Sequence, residues 1–122
     1  MGQRISNRSW QHLKETFPED IEKLTHVTFT TSRSNIAFLN RRFYRRVAGK
    51  KLKKTNTELY GVDLGVFFDW LDENSESQYY AKMDNKTRHQ NTVKIDMYFF
   101  EETDAIAFKI VFGEKDLTFI ET

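Results

Sequence analysis

Arg41, Arg42, Arg45 and Arg46 recur at helical spacing, and Lys50, Lys51, Lys53 and Lys54 follow within eight further residues. A guanidinium presents a planar fork that matches phosphate oxygens, and an ammonium adds a point charge. Cations grouped this densely require phosphates, an anionic membrane or carboxylates as counterions. Phe38 and Tyr44 interleave with the arginines. An outward ring there would offer a stacking surface to an unpaired base, worth roughly 1–3 kcal/mol. Asn40 and Arg41 would reach base edges if the helix entered a major groove. Ten residues are therefore candidate nucleic-acid contacts: Phe38, Arg41, Arg42, Tyr44, Arg45, Arg46, Lys50, Lys51, Lys53 and Lys54. Their types do not select DNA over RNA.

The chain also carries its own candidate counterions. Nine of its nineteen Lys and Arg lie between Arg33 and Lys54, with no acidic residue among them. From Glu58 to Glu76 the sign inverts, with six carboxylates (Glu58, Asp63, Asp69, Asp72, Glu73, Glu76) and no Lys or Arg. The formal net charge of +1 hides this bipolar pattern. If the acidic segment docks on the basic one, the charges cancel within the molecule. Two other partner classes follow from the same residues. An acidic or aromatic surface suits a viral or phage-type inhibitor or adaptor that binds a host protein. The start MGQRIS, with Gly2 and Ser6, matches the pattern for N-myristoylation. A single acyl chain anchors only marginally and needs a second signal such as a polybasic stretch.

Other chemistry finds little material. With no cysteine, disulfides, thiol catalysis and cysteine-ligated zinc are excluded. His12, His26 and His89 are far apart, and none has a His or Asp at metal-ligand spacing. Asp69 and Glu73 stand one turn apart but read as a solvated helix face. Asp96, Glu101, Glu102 and Asp104 read as turn carboxylates. No phosphate loop or nucleophile elbow is visible. The expectation is a non-enzymatic protein without metal or cofactor. With no apolar run of membrane-spanning length, it is also expected to be intracellular and cytoplasmic, with nuclear or membrane-peripheral placement as alternatives.

These residues need elements to position them. At 122 residues, 15% aromatic, the chain suits a single domain over residues 1–122. Ser9 is placed to cap a helix bearing Trp10, Leu13 and Phe17, and Pro18 opens a turn with Ile21 and Leu24. His26 to Thr31 alternates as a strand. Ser34 or Asn35 caps the basic helix, which runs to Ala48 and is closed by Gly49. Ile36, Leu39, Phe43 and Val47 form its buried stripe; the arginines and Phe38 lie opposite. Asp63 caps a second helix with Leu64, Phe67, Phe68 and Leu71, its outer side carrying Asp69, Asp72 and Glu73. Tyr79 to Met83 is a short strand and Asp84 to Asn91 a polar loop. Val93 to Phe100, Ile106 to Phe112 and Leu117 to Ile120 read as a three-strand meander. The expected fold is α+β, with helices packed on a mostly antiparallel sheet. Tyr98 and Phe100 then face away from the core, and need either a helix layer or a second copy of the chain in a homodimer.

From Arg46 to Leu71 the string RVAGKKLKKTNTELYGVDLGVFFDWL resembles a segment of the HNH-type homing endonucleases of phages and large DNA viruses. The similarity rests on Lys50, Lys51, Lys54, Thr57, Glu58, Leu59, Gly61, Phe68 and Leu71. It implies a stretch that helps hold DNA ahead of a nuclease core. The catalytic motif is missing: Asp96 is followed by Met97 where that family has Asp-His, and its downstream Asn and His have no counterpart.

Overall fold

A computed structural model describes residues 2–46, 57–87 and 89–120, the side chains of Arg46 and Glu114 excepted. Its elements run β1 (Gln3–Arg4), α1 (Asn7–Thr16), α2 (Pro18–Glu22), β2 (Thr25–Ser32), α3 (Arg33–Arg46), β3 (Glu58–Leu59), β4 (Val62–Asp63), α4 (Gly65–Asn74), β5 (Gln78–Met83), β6 (Thr92–Phe99), α5 (Glu102–Asp116) and β7 (Thr118–Ile120). The main sheet has the order β1-β5-β6-β2-β7. Only β1 pairs in parallel, with β5; the other three pairings are antiparallel. The α+β class expected from the sequence is what the chain adopts.

Strand β2, helices α3 and α4, strands β5 and β6, helix α5 and strand β7 follow the β-α-β-β-α-β order of a split β-α-β fold, with β2 and β6 central. Alternation divides the residues between the two faces of the sheet. Val27, Phe29, Val93, Ile95, Met97, Phe99, Tyr79, Ala81 and Met83 face one side, where Ile36, Leu39, Phe67, Leu71, Phe108 and Phe112 from α3, α4 and α5 complete the main core. On the other side Ile5, Trp10 and Tyr80 form a smaller cluster, with Leu13, Ile21, Leu24, Tyr98 and Phe100 packed against it. Helices α1 and α2 thus cover Tyr98 and Phe100, which removes the reason for assigning that face to a homodimer.

The C-terminal meander is corrected. Residues 106–112 are helical, because Ala105, Phe108 and Phe112 are buried at three- and four-residue steps, whereas Ile106 and Ile110 are 50% and 75% exposed. Positions 108 and 112 share a face in either conformation, so they supported both readings. Gly113, at φ 39°, interrupts the helix and redirects the chain toward β7. Two caps also move. Ser6 rather than Ser9 caps α1, its Oγ accepting from the Ser9 amide at 3.2 Å. Ser32 rather than Ser34 or Asn35 caps α3, accepting from the Asn35 amide at 3.0 Å. Ala48 and Gly49, the expected helix end, lie outside the described residues.

Candidate nucleic-acid interface

Helix α3 forms because Ile36 and Leu39, each 1% exposed, and half-buried Phe43 supply a continuous apolar stripe to the core. Seating that stripe turns the opposite face outward. Phe38, Arg41, Arg42 and Arg45 occupy positions i, i+3, i+4 and i+7, and all four are exposed. Phe38 keeps 48% of its surface open, with the Arg42 guanidinium 5.5 Å from its ring centre. Arg42 also donates to Asp116 Oδ2 at 3.1 Å, an exposed pair of small energetic weight. Among the described residues neither Arg41 nor Arg45 is in a salt bridge. The side chain of Arg46 and the whole of Lys50, Lys51, Lys53 and Lys54 fall outside the described residues.

Tyr44 belongs to a different surface. It is half-buried against α4, where its hydroxyl donates to Asp69 Oδ2 at 2.6 Å. Burial first, then the Asp69 bond and the charges of Asp69 and Asp63, hold its phenol well above the ordinary value. Gly65 makes this approach possible, since a Cβ there would collide with the Tyr44 hydroxyl. Tyr44 is therefore a helix–helix fastener and not a stacking platform. Asn40 is likewise committed: its amide donates to the Asp63 carbonyl at 2.8 Å and its Oδ1 accepts from the Val66 amide at 2.8 Å, satisfying the start of α4. Asp63 assists, accepting from the Gly65 amide at 2.9 Å and the Thr57 hydroxyl at 2.7 Å.

Among the described residues no ion pair joins a carboxylate of α4 to Arg41, Arg42 or Arg45. Asp69 is taken by Tyr44, and Asp72 accepts from the buried Tyr79 hydroxyl at 2.8 Å. Only Glu73 of the expected outer trio is exposed. Burial is the main reason the Asp72 carboxyl is raised; the Tyr79 bond and the Arg4 charge oppose the rise, and Asp69 adds to it. Arg4 lies 4.3 Å over the Phe68 ring and has one buried nitrogen without a hydrogen-bond partner.

Several sequence expectations change elsewhere. Asp104 is no turn carboxylate: it is buried and accepts from the amides of Glu76 and Ser77 at 2.9 and 3.0 Å. Gly2 packs where a Cβ would collide with Ser75 Oγ and the Leu71 carbonyl, so packing alone accounts for glycine there. His12 lines a cavity of about 650 Å³ with Gln3, Arg4, Arg8 and Gln78. His26 is bonded to Asp96, seventy residues away, a pairing that only the β2–β6 register creates. Nothing in local spacing signals it. Apart from Arg46 at the end of α3, the segment resembling homing endonucleases enters the described residues at Thr57. There Tyr60 and Gly61, both at positive φ, turn β3 into β4.

Among the described residues no group of three or more His, Cys, Asp or Glu is placed to hold a metal ion. No described helix is long and apolar enough to cross a membrane. No protein-family model matches this chain, and no curated protein or solved structure does either.

Proposed function

We propose that the protein binds nucleic acid through the outer face of α3, with Arg41, Arg42 and Arg45 on phosphates and Phe38 beside them as a stacking ring. The observation that carries this reading is the exposed Phe38-Arg41-Arg42-Arg45 stripe, in which two guanidiniums have no carboxylate partner among the described residues. Phosphate binding by such a stripe is driven by counterion release and weakens with salt. The resemblance of residues 46–71 to a DNA-holding segment points the same way, and Arg46, Lys50, Lys51, Lys53 and Lys54 would extend the cationic track. The test is fluorescence anisotropy with labelled single-stranded and duplex DNA and RNA at two salt concentrations. Arg41→Glu, Arg42→Glu and Arg45→Glu together should abolish tight binding; unchanged affinity in that variant would exclude the reading.

A second reading rests on α5. Ile106, Ile110 and Val111 are 50%, 75% and 49% exposed on its outer side, an apolar surface suited to a protein partner. Capture of a partner that survives nuclease treatment and is lost in Ile110→Lys would favour it over nucleic-acid binding.

A further inference from the structure

The smaller cluster under helices α1 and α2 contains a run of aromatic rings that ends at His26. Trp10 stacks on Tyr80 with ring centres 4.3 Å apart and planes at 8°. Tyr98 lies 4.9 Å from Trp10, and His26 lies flat on Tyr98 at 4.4 Å and 8°. Trp10 and Tyr80 are buried and Tyr98 is half-buried, whereas the His26 side chain keeps 35% of its surface open. His26 is thus the solvent-facing end of an aromatic ladder.

Its ring is also fixed edge-on. Nε2 is 2.8 Å from Asp96 Oδ1, and the buried Thr28 hydroxyl donates to the same oxygen at 2.7 Å. A carboxylate only accepts, so Nε2 carries the proton, and in the neutral ring Nδ1 is left as an acceptor. Two cations share this face. Lys82 is the cross-strand partner of Asp96, and Lys94 lies two residues before Asp96 on β6, opposite Thr30. Their neighbours Ala81, Met83, Val93 and Ile95 point into the main core, which turns the lysines outward. Among the described residues neither lysine is in an ion pair, because Asp96 is engaged by His26 and Thr28.

We propose that the His26 end of this sheet face binds single-stranded RNA. An unpaired base stacks on the outer face of His26, a ribose 2′-hydroxyl donates to Nδ1, and flanking phosphates meet Lys82 and Lys94. The ring is held in place before binding, so little conformational entropy is lost when the base arrives. Stacking on an aromatic end with cations beside it is how unpaired bases are held on sheets, and the 2′-hydroxyl is what separates RNA from DNA. The proposal goes beyond the α3 reading and places a further unpaired nucleotide on the side of the sheet away from α3.

The experiment titrates the full chain into labelled oligouridine and oligothymidine of equal length. It adds photocrosslinking to 5-iodouridine RNA, with peptide mapping by mass spectrometry. RNA should bind about fivefold more tightly than DNA, the scale of one hydrogen bond. His26→Phe keeps a stacking ring and loses the acceptor, so it should bring RNA affinity down to that of DNA. His26→Ala should weaken both by about tenfold, as expected for one lost stack. Lys82→Glu with Lys94→Glu should weaken both and flatten the salt dependence. Crosslinks should fall within residues 24–33. Equal affinity of the native chain for RNA and DNA, native affinity in His26→Ala, or crosslinks confined to α3 would each overturn the proposal. If the α3 reversal leaves binding intact and His26→Ala removes it, the earlier reading fails while this one stands. The opposite pattern sinks this one alone.

Discussion

Helices α3 and α4 are neighbours in sequence and in space, are amphipathic, and carry opposite charge; they use that charge in opposite ways. Arg41, Arg42 and Arg45 of α3 are exposed, at the tips of long side chains on the face opposite the core stripe. The aspartates of α4 are short, so their carboxylates lie close to the helix surface, at its seams with neighbouring elements. There Asp69 and Asp72 meet phenol donors, Tyr44 from α3 and Tyr79 from β5. A half-buried carboxylate keeps its charge only if donors replace water; Tyr44 and Tyr79 are those donors, and the Arg4 charge also favours the ionised Asp72. The opposite charges of the two helices therefore do not cancel. Near-neutral composition coexists with an uncovered cationic stripe, because side-chain length decides which charge reaches solvent.

The largest expected effect separates the helices by binding. Reversing Arg41, Arg42 and Arg45 to Glu should lower affinity for nucleic acid by about 100-fold at low salt and reduce the magnitude of the log–log salt slope by roughly two to three. Asp69→Asn with Asp72→Asn removes two charges and keeps both acceptors, and should leave affinity within about threefold, since both carboxylates are bonded to tyrosines and neither is in an ion pair with Arg41, Arg42 or Arg45 among the described residues. Equal losses in the two variants would mean that overall charge, and not the stripe, governs binding.

A smaller effect separates them by stability. Tyr44→Phe deletes the 2.6 Å bond to Asp69 and leaves the ring in place. It should cost about 1–2 kcal/mol in urea unfolding, the range for a hydrogen bond to a charged group partly open to water. Nucleic-acid affinity should not change. A loss of affinity with native stability would return Tyr44 to the binding surface.

Much of this arrangement was legible in the chain. The stripe of Ile36, Leu39 and Phe43 set the orientation of α3, and hence the exposure of Phe38, Arg41, Arg42 and Arg45, because burial of one helical face determines the other. Tyr44 was not legible. It lies on the flank of the helix, where the outcome depends on what docks alongside, and only Gly65 on α4 opens room for it. The 106–112 segment failed for a related reason. Phe108 and Phe112 fit both periods, and the deciding residues, Ile106 and Ile110, are apolar yet exposed, so hydrophobicity misreported their side. The His26–Asp96 contact required the register of β2 against β6, which no local pattern carries.

The smallest effect concerns pH. Burial, chiefly, raises the Asp72 carboxyl above its ordinary value, so the folded chain holds that proton more tightly than the unfolded chain does. Stability from this group is then greatest at acid pH, where both states are protonated, and falls as pH rises through the interval between the unfolded and folded values. Asp72→Asn removes the ionisation and keeps an oxygen to accept from Tyr79. The variant should be slightly more stable than the native chain at pH 7, and that advantage should shrink as the pH drops below the folded value. Thermal unfolding at pH 7 and pH 4 measures it. A variant less stable at pH 7 would show that the charged form of Asp72 strengthens the Tyr79 bond by more than its burial costs. The carboxylates of α4 would then stabilise the fold through their charge, and the contrast with the solvent-facing arginines of α3 would be sharper still.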